Sequence, residues 1–319
     1  MQIILWSSVL IASVWAAHWG SDQLAEPLEK LRCQWGLSEA AGAAFVALAT
    51  ASPEVGTNTA AALQGLSDIG LGNLLGSNII SVPAIVLVSY LASRNIDDSN
   101  RVEVKTEALN VQAIPYILII ILAAILTVPG PWRGLQPIDG WIMLAAYLIY
   151  LAQAILRERQ TGKKVRWQKG EILVALAGAL GLAIAAYFIV TATERLVSLL
   201  GISQIVGGLF ITSTLSIAPE VFATWSVAKS GQVTAATTSV IADNTATMTL
   251  ALFPLSLVGL QIQDFRLFAV NLIFVALLAI VYAAFIRWGE QKNSFELWEV
   301  LSLIAIYLIY LAIMIFAVL

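Results

Sequence analysis

Two short motifs place a carboxylate, a hydroxyl and a proline together inside apolar sequence. The first is Ala-Thr-Ala-Ser-Pro-Glu at residues 49–54, within a long apolar run. An acid in such a run is costly to bury, so it marks a functional site by default. Proline has no N–H, so Pro53 leaves the carbonyl of Ala49 without its helical partner, close to Glu54 and Thr50. Carboxylate, hydroxyl and carbonyl oxygens are the ligands of hard cations.

The same pattern recurs once, as Leu215-Ser216-Ile217-Ala218-Pro219-Glu220. Here Pro219 frees the carbonyl of Leu215, and Ser216 lies one helical turn before Glu220. Two ionised glutamates neutralise one divalent cation, and the same pair can accept two protons. We therefore expect Glu54 and Glu220 to approach each other near the centre of a membrane and to bind a cation jointly.

The composition indicates that the surrounding solvent is a lipid bilayer. Apolar residues make up 59% of the 319, charged residues only 12%, and the mean hydropathy is +0.86. The net charge of −3 gives no sign of a nucleic-acid partner, and the single Cys33 and single His18 argue against a zinc or disulfide site. The expected partners are inorganic cations and lipid, with no cofactor and no protein partner inferred.

Ten apolar runs are long enough to span a membrane, which takes about 20 residues. The second, third, seventh and eighth runs carry proline, glycine, hydroxyl, amide and acidic residues near their middle. The other six runs consist mainly of leucine, isoleucine, alanine and valine. Polar residues gathered into four helices indicate a site between those helices. The runs lie near residues 2–19, 38–64, 69–92, 113–129, 138–156, 171–192, 203–228, 232–259, 265–287 and 297–318.

Lysine and arginine predict the orientation of these spans, because cytoplasmic loops carry the excess of both. Residues 157–170, between spans five and six, hold six basic residues, which places this loop in the cytoplasm. Alternation then puts 14 of the 17 basic residues inside and three outside. Both termini are expected on the extracytoplasmic side. The first run lacks the basic start of a cleavable signal, and a prokaryotic-type plasma membrane is the expected location.

The chain repeats itself at an offset of 166 residues, which relates Pro53 to Pro219 and Asn78 to Asn244. The halves are residues 1–156 and 171–319, with 157–170 as a cytoplasmic connector. Since each half has five spans, the second enters the membrane from the opposite side. The predicted fold is an all-α membrane protein of ten transmembrane helices in two inverted-topology five-helix repeats, with a site at the midplane.

These motifs resemble the cation/calcium antiporter superfamily, and most closely its sodium/calcium exchanger branch. Each of that family's two alpha repeats contains a Gly-Thr-Ser-x-Pro-Glu helix followed by a Gly-Ser-Asn helix. The first half matches with residues 49–54 and Gly76-Ser77-Asn78, and the second with residues 215–220 and Asp243-Asn244. The resemblance covers nearly the whole chain and assigns the alpha-1 repeat to the first half and the alpha-2 repeat to the second.

The resemblance implies roles for individual residues. Glu54 and Glu220 fall on the glutamates that coordinate the transported cation in the family. Thr50 and Ser216 occupy the hydroxyl positions, and Ser77 occupies the serine of the Gly-Ser-Asn helix. Hydroxyl and carbonyl oxygens assist the glutamates in the family, and in this sequence the carbonyls freed by the two prolines belong to Ala49 and Leu215.

Five positions depart from the family pattern. Ala51 and Ile217 stand where serine is usual, which removes two side-chain oxygens. Ser81 replaces an asparagine, and Thr247 replaces an acid or amide. Asp243 lies one turn before Thr247 on the same helix face, so it is expected to supply the missing carboxylate and to be a candidate proton carrier.

The leading interpretation is a secondary-active antiporter that exchanges Ca²⁺, or a similar cation, for Na⁺ or H⁺ by alternating access. Alternatives are a cation/proton antiporter with altered ion selectivity, a family member whose transport is impaired, and, less favoured, a cation channel. One acid in each inverted half argues against a channel, whose filter usually comes from several like subunits. An enzyme is not expected, because no cysteine–histidine or paired-histidine constellation is present.

Overall fold

The computed structural model describes residues 1–36, 47–94, 101–104, 109–129, 133–157, 162, 165, 169–229, 233–289 and 294–319. Most of the predicted connector and the first residues of the second predicted span lie outside these ranges. Nearly all of the described chain is helical, as the apolar runs predict.

In the first half, α1 (Gln2–Trp35) extends well beyond the span predicted to end at residue 19. The prediction followed the apolar run, whereas the helix continues into polar sequence. There Lys30 pairs with Glu26 at 2.9 Å, an i,i+4 contact of the kind that supports a helix in water. The following helices are α2 (Ser52–Gln64), α3 (Ser67–Ser93), α4 (Ile114–Thr127, after a π-helical turn at Leu109–Ala113) and α5 (Pro137–Arg157).

In the second half, α6 covers Lys169–Leu200. Two of the next helices contain π-helical stretches, which occur often at functional sites. Helix α7 comprises Gln204–Val206, a π-helical stretch Gly207–Thr212 and Ser213–Lys229; α8 comprises Val233–Ala246, a π-helical stretch Thr247–Ala251 and Leu252–Leu257. The last helices are α9 (Phe265–Trp288) and α10 (Leu297–Ile313, ending in a π-helical stretch Met314–Val318).

Seven helices within the described ranges are long and apolar enough to cross a membrane, and the shorter α4 is also apolar. Their lipid-facing sides show in the exposed large apolar side chains, such as Leu118 on α4 and Leu173 on α6. The chain is therefore an integral membrane protein. The number of ten spans stays a prediction.

Two short antiparallel ladders join the loops at opposite ends of the helices. Strand β1 (Arg101–Glu103) pairs with β4 (Ser294–Glu296), and β2 (Gly134–Leu135) pairs with β3 (Leu260–Gln261). Each ladder connects two loops that the sequence prediction assigned to one face of the membrane. The pairing therefore agrees with the predicted alternation of spans.

The two halves pack closely where α3 crosses α7. A Cβ added to Gly72 would overlap the carbonyl oxygen of Ile205 and lie 2.9 Å from the backbone nitrogen of Leu209. A Cβ on Gly208 would lie 2.9 Å from the Cα of Gly72. Small residues let helix backbones approach in this way in membranes, where packing and not the hydrophobic effect holds helices together. Glycine at these positions thus sets the distance between the halves.

We predict that Gly72→Ala lowers the stability of the protein by about 1–3 kcal/mol, the usual cost of overpacking a tight contact. The added methyl group meets backbone atoms, which cannot turn aside as a side chain can. The matched control is Gly170→Ala on α6, where no atom lies within 4 Å of the added Cβ. Thermal unfolding of the purified variants measures both effects. Equal midpoints for the two variants would contradict a close α3–α7 contact.

Candidate cation-binding site

The proline in the first motif breaks the helix and places an acid at the new N-terminus. Residues 47–50 are helical, Ala51 forms a turn, and α2 begins at Ser52 with Glu54 in its first turn. The N-terminal end of a helix favours negative charge. The Glu54 side chain is only 2% exposed, and neither carboxylate oxygen is hydrogen-bonded to another residue within the described ranges.

The carbonyl of Ala49, freed by Pro53, is occupied by protein hydroxyl groups. Ser21 of α1 donates to this oxygen, and Ser52 donates to it at 2.6 Å. The expectation that this carbonyl is open to a cation therefore differs from the structure. The proline does free the carbonyl, but a serine from another helix takes the vacant position.

The second motif folds differently from the first. Helix α7 runs through Pro219 from Ser213 to Lys229, and its irregular part lies earlier, in the π-helical stretch Gly207–Thr212. Ser216 is buried and Glu220 is half-buried. The side chain of Leu215 packs against the apolar cluster between α1 and α6. The Leu215 carbonyl as a ligand stays a prediction.

Asp243 on α8 joins the two glutamates. The Asp243 residue is 7% exposed, and its Oδ1 accepts no hydrogen bond from the described residues. The Thr50 hydroxyl lies beside the Asp243 carboxylate and donates to the Ala47 carbonyl at 3.4 Å. The charge of Asp243 acts on both Glu54 and Glu220, and the charge of Glu54 acts on Glu220. The structure thus brings together three acids and one hydroxyl from α2, α7, α8 and the segment before α2. Asp243 lies within electrostatic range of both glutamates, and its role as a cation ligand or proton carrier stays a prediction.

The three acids do not close around a single point. Over the ranges that the structure describes, no three acidic, histidine or cysteine side chains are arranged to hold a metal ion. A cation between Glu54 and Glu220 would therefore need oxygens of other kinds, from hydroxyl groups, carbonyls or water. Such mixed oxygen ligation is typical of Ca²⁺.

Asn78 and Asn244, the repeat-related pair, connect α3 and α8. The Asn78 amide donates to the Thr247 hydroxyl at 3.0 Å, and the Ser81 hydroxyl donates to Asn244 Oδ1 at 3.0 Å. The Tyr116 hydroxyl of α4 donates to Asn78 Oδ1 at 2.8 Å. Ser81 and Thr247 thus take part in helix packing. Thr247 contacts α3, whereas Asp243, on the same face, reaches Thr50.

Two further buried residues lie near the site: Ser77, which was predicted, and Tyr116, which was not. Ser77 is 7% exposed and donates to the Leu74 carbonyl of its own helix at 3.1 Å, which leaves its oxygen lone pairs available. Tyr116 was missed by the sequence reasoning. Its signal was present, because Tyr116 and the equally buried Tyr282 are 166 residues apart.

Known proteins resemble this chain in sequence over most or part of its length. An uncharacterised membrane protein of Methanocaldococcus jannaschii is 24% identical over an alignment of 319 positions, gaps included, that covers 98% of each chain. The sodium/calcium exchanger MaX1 of Methanosarcina acetivorans is 39% identical over 75 residues, which is 23% of this chain and 21% of MaX1.

Two solved structures share the fold at low sequence identity. The sodium-calcium exchanger NCX_Mj is 22% identical with a TM-score of 0.65, over 97% of this chain and 99% of that one. The H⁺/Ca²⁺ exchanger CAX is 15% identical with a TM-score of 0.74, over 99% of this chain and 81% of that one. The sequence also matches the sodium/calcium exchanger protein family over residues 6–156 and 170–316. The chain belongs to the sodium/calcium exchanger protein family.

Proposed function

We propose that this protein is a secondary-active antiporter that exchanges Ca²⁺, or a similar cation, for Na⁺ or H⁺ by alternating access. Glu54 and Glu220 act as the central ligands, assisted by Thr50, Ser216 and Ser77. The observation that carries the proposal is the buried Glu54 carboxylate, which lacks a protein partner within the described ranges and faces the charges of Glu220 and Asp243.

The electrostatics of the empty site support exchange over simple binding. Carboxylates that face one another repel when ionised, so an empty site must take up protons or other cations. Moving the empty, doubly charged site through the membrane is therefore disfavoured. A divalent cation, or two monovalent ones, removes that penalty, and this difference couples the movement of one ion to that of the other.

The inverted ten-span topology is the frame that lets one site open to either face. When the two halves are superimposed by the repeat, the loop that contains β1 corresponds to the loop that contains β3. The loop that contains β4 corresponds to the loop that contains β2, so the β1–β4 ladder is the repeat counterpart of the β2–β3 ladder. Tyr116 and Tyr282 also correspond, and each donates to a core helix of its own half, α3 or α8. The basic-residue count adds an orientation with both termini on the extracytoplasmic side.

The names of the relatives supply two coupling ions. NCX_Mj is called a sodium-calcium exchanger and CAX an H⁺/Ca²⁺ exchanger. Asp243 favours protons as a second candidate for this chain, because a third carboxylate beside the glutamates adds a group that can bind and release a proton within the site.

We predict that Glu54→Gln and Glu220→Gln each abolish calcium-45 uptake into proteoliposomes driven by an outward sodium or proton gradient. The change removes a charged ligand and keeps the side-chain volume. The matched control is Glu299→Gln, since Glu299 is as buried as Glu54 but forms a capping box at the start of α10, where glutamine serves as well. Wild-type uptake in either site variant, at an unchanged thermal midpoint, would mean that the glutamates are structural.

We predict that Asp243→Asn flattens the pH dependence of calcium uptake. Protons compete with Ca²⁺ for the carboxylates, so wild-type uptake should fall as the pH is lowered, and one fewer carboxylate weakens the competition. Uptake measured from acid to alkaline pH, with equal pH on both sides, tests this. Asp139→Asn, at the exposed start of α5, is the control. Superimposable profiles for wild type and Asp243→Asn would assign Asp243 a structural role.

A further inference from the structure

Two fully buried asparagines near the site have side-chain atoms without hydrogen-bond partners. Asn58 donates its amide N–H to the Ala251 carbonyl at 3.1 Å, but its Oδ1 accepts no bond from the described residues. Neither Oδ1 nor Nδ2 of Asn73 has a partner in the same part of the chain. Buried polar groups are almost always paired, and an unpaired one costs about 1–3 kcal/mol. The two Oδ1 atoms are therefore free to act as acceptors.

The two amides lie one helical turn away from the site residues, on the same side. Asn58 follows Glu54 by four residues on α2, and Asn73 precedes Ser77 by four residues on α3, which is about 6 Å in each case. Since α2 and α3 are successive helices joined by a tight turn, both displacements point toward that turn. Residues four apart share a helix face, so the amides continue the faces that carry Glu54 and Ser77.

The faces of α2 and α3 that carry the two amides meet. A Cβ added to Gly70 would lie 3.2 Å from Asn58 Oδ1, and Asn73 is the neighbour of Gly70 one turn along α3. The amide of Asn58 is fixed by its bond to Ala251, next to the π-helical stretch of α8. Its oxygen is thereby aimed at α3.

A polar cavity of about 250 Å³ lies beyond these amides, at the turn between α2 and α3. Its lining includes Gly65, Ser67, Asp68, Gln204, Gln261 and Gln263, so both halves of the chain contribute to it. Ser67 is about 9 Å from Asn73 along the helix axis. Along the axes of α2 and α3, the cavity comes first, the amides lie deeper, and Glu54 lies deepest. The topology prediction places the cavity on the extracytoplasmic side.

We propose that Asn58 and Asn73 form a second cation site, the amide station, between this cavity and Glu54. Amide oxygens are ligands of hard cations, and this pair brings no negative charge. The amide station is therefore suited to a partly dehydrated monovalent cation of the sodium class and not to a divalent ion, whose charge needs the carboxylates. It deepens the proposed function, on which it rests for the direction of cation movement.

Equilibrium binding of sodium-22 to the purified protein tests the amide station without any transport measurement. The parent is the Glu54→Gln/Glu220→Gln protein, which lacks both central carboxylates. We expect this parent to retain sodium binding. Adding Asn73→Leu or Asn58→Ala should weaken it about tenfold or more, a loss that even outer-shell partners of a metal site can cause.

Thermal unfolding in sodium-free buffer separates a binding role from a packing role. Asn73→Leu removes unpaired polar atoms, so its midpoint should equal or exceed that of its parent. The matched control is Asn271→Leu on α9, where the buried amide is paired with the Leu267 carbonyl and the Tyr310 hydroxyl. This control should lower the midpoint and leave the sodium affinity unchanged. If leucine does not fold at position 73, Asn73→Ala and Asn58→Ala carry the binding test.

Any other result contradicts the proposed amide station. A parent that binds no sodium, or variants that bind it as tightly as the parent, would remove the site. A midpoint for Asn73→Leu that falls as far as that of Asn271→Leu would show a paired, structural amide. These results leave calcium uptake by the wild-type protein untouched, so failure of the amide station and failure of antiport are distinguishable.

Discussion

An ionised carboxylate inside a bilayer requires a counter-charge, and the described part of the chain supplies none for Glu54. The broken helix gives it only the partial positive charge of a helix N-terminus. Its charged neighbours, Glu220 and Asp243, add repulsion. Within the described residues no basic side chain supplies the compensating charge. Under the proposed function a metal cation or a proton supplies it, so the charge of the site is balanced by the ion that is carried.

The contact between α3 and α7 fixes the spacing of the two halves that carry the acids. Gly72 and Gly208 bring the backbones of the two halves together. Glu54 belongs to the first half, whereas Glu220 and Asp243 belong to the second. Because the contact is between backbones, side-chain rotation cannot change the distance between α3 and α7. A movement of one half relative to the other would therefore have to move these backbones.

The sequence predicted the features that depend on local chemistry and on the repeat. Helix periodicity placed Asp243 on the same face as Thr247, and the repeat related Asn78 to Asn244. The structure adds that each of these asparagines takes part in a hydrogen bond between α3 and α8. What could not be predicted depends on distant contacts. Pro53 frees the Ala49 carbonyl, but the Ser21 donor lies 28 residues earlier, on another helix. Likewise, nothing local distinguishes Pro219, which α7 accommodates within a continuous helix, from Pro53, which ends one.

The ratio of neutral to charged oxygen ligands around Glu54 and Glu220 bears on ion selectivity. Ala51 and Ile217 replace hydroxyl side chains of the family pattern, and the Ala49 carbonyl is held by Ser21 and Ser52. The centre thus loses neutral oxygens, while Asp243 places a third carboxylate beside the two glutamates. A site rich in charge and poor in neutral ligands favours divalent cations and protons over sodium. Neutral oxygens are found again one turn away, in Asn58 and Asn73, whose Oδ1 atoms accept no hydrogen bond from the described residues.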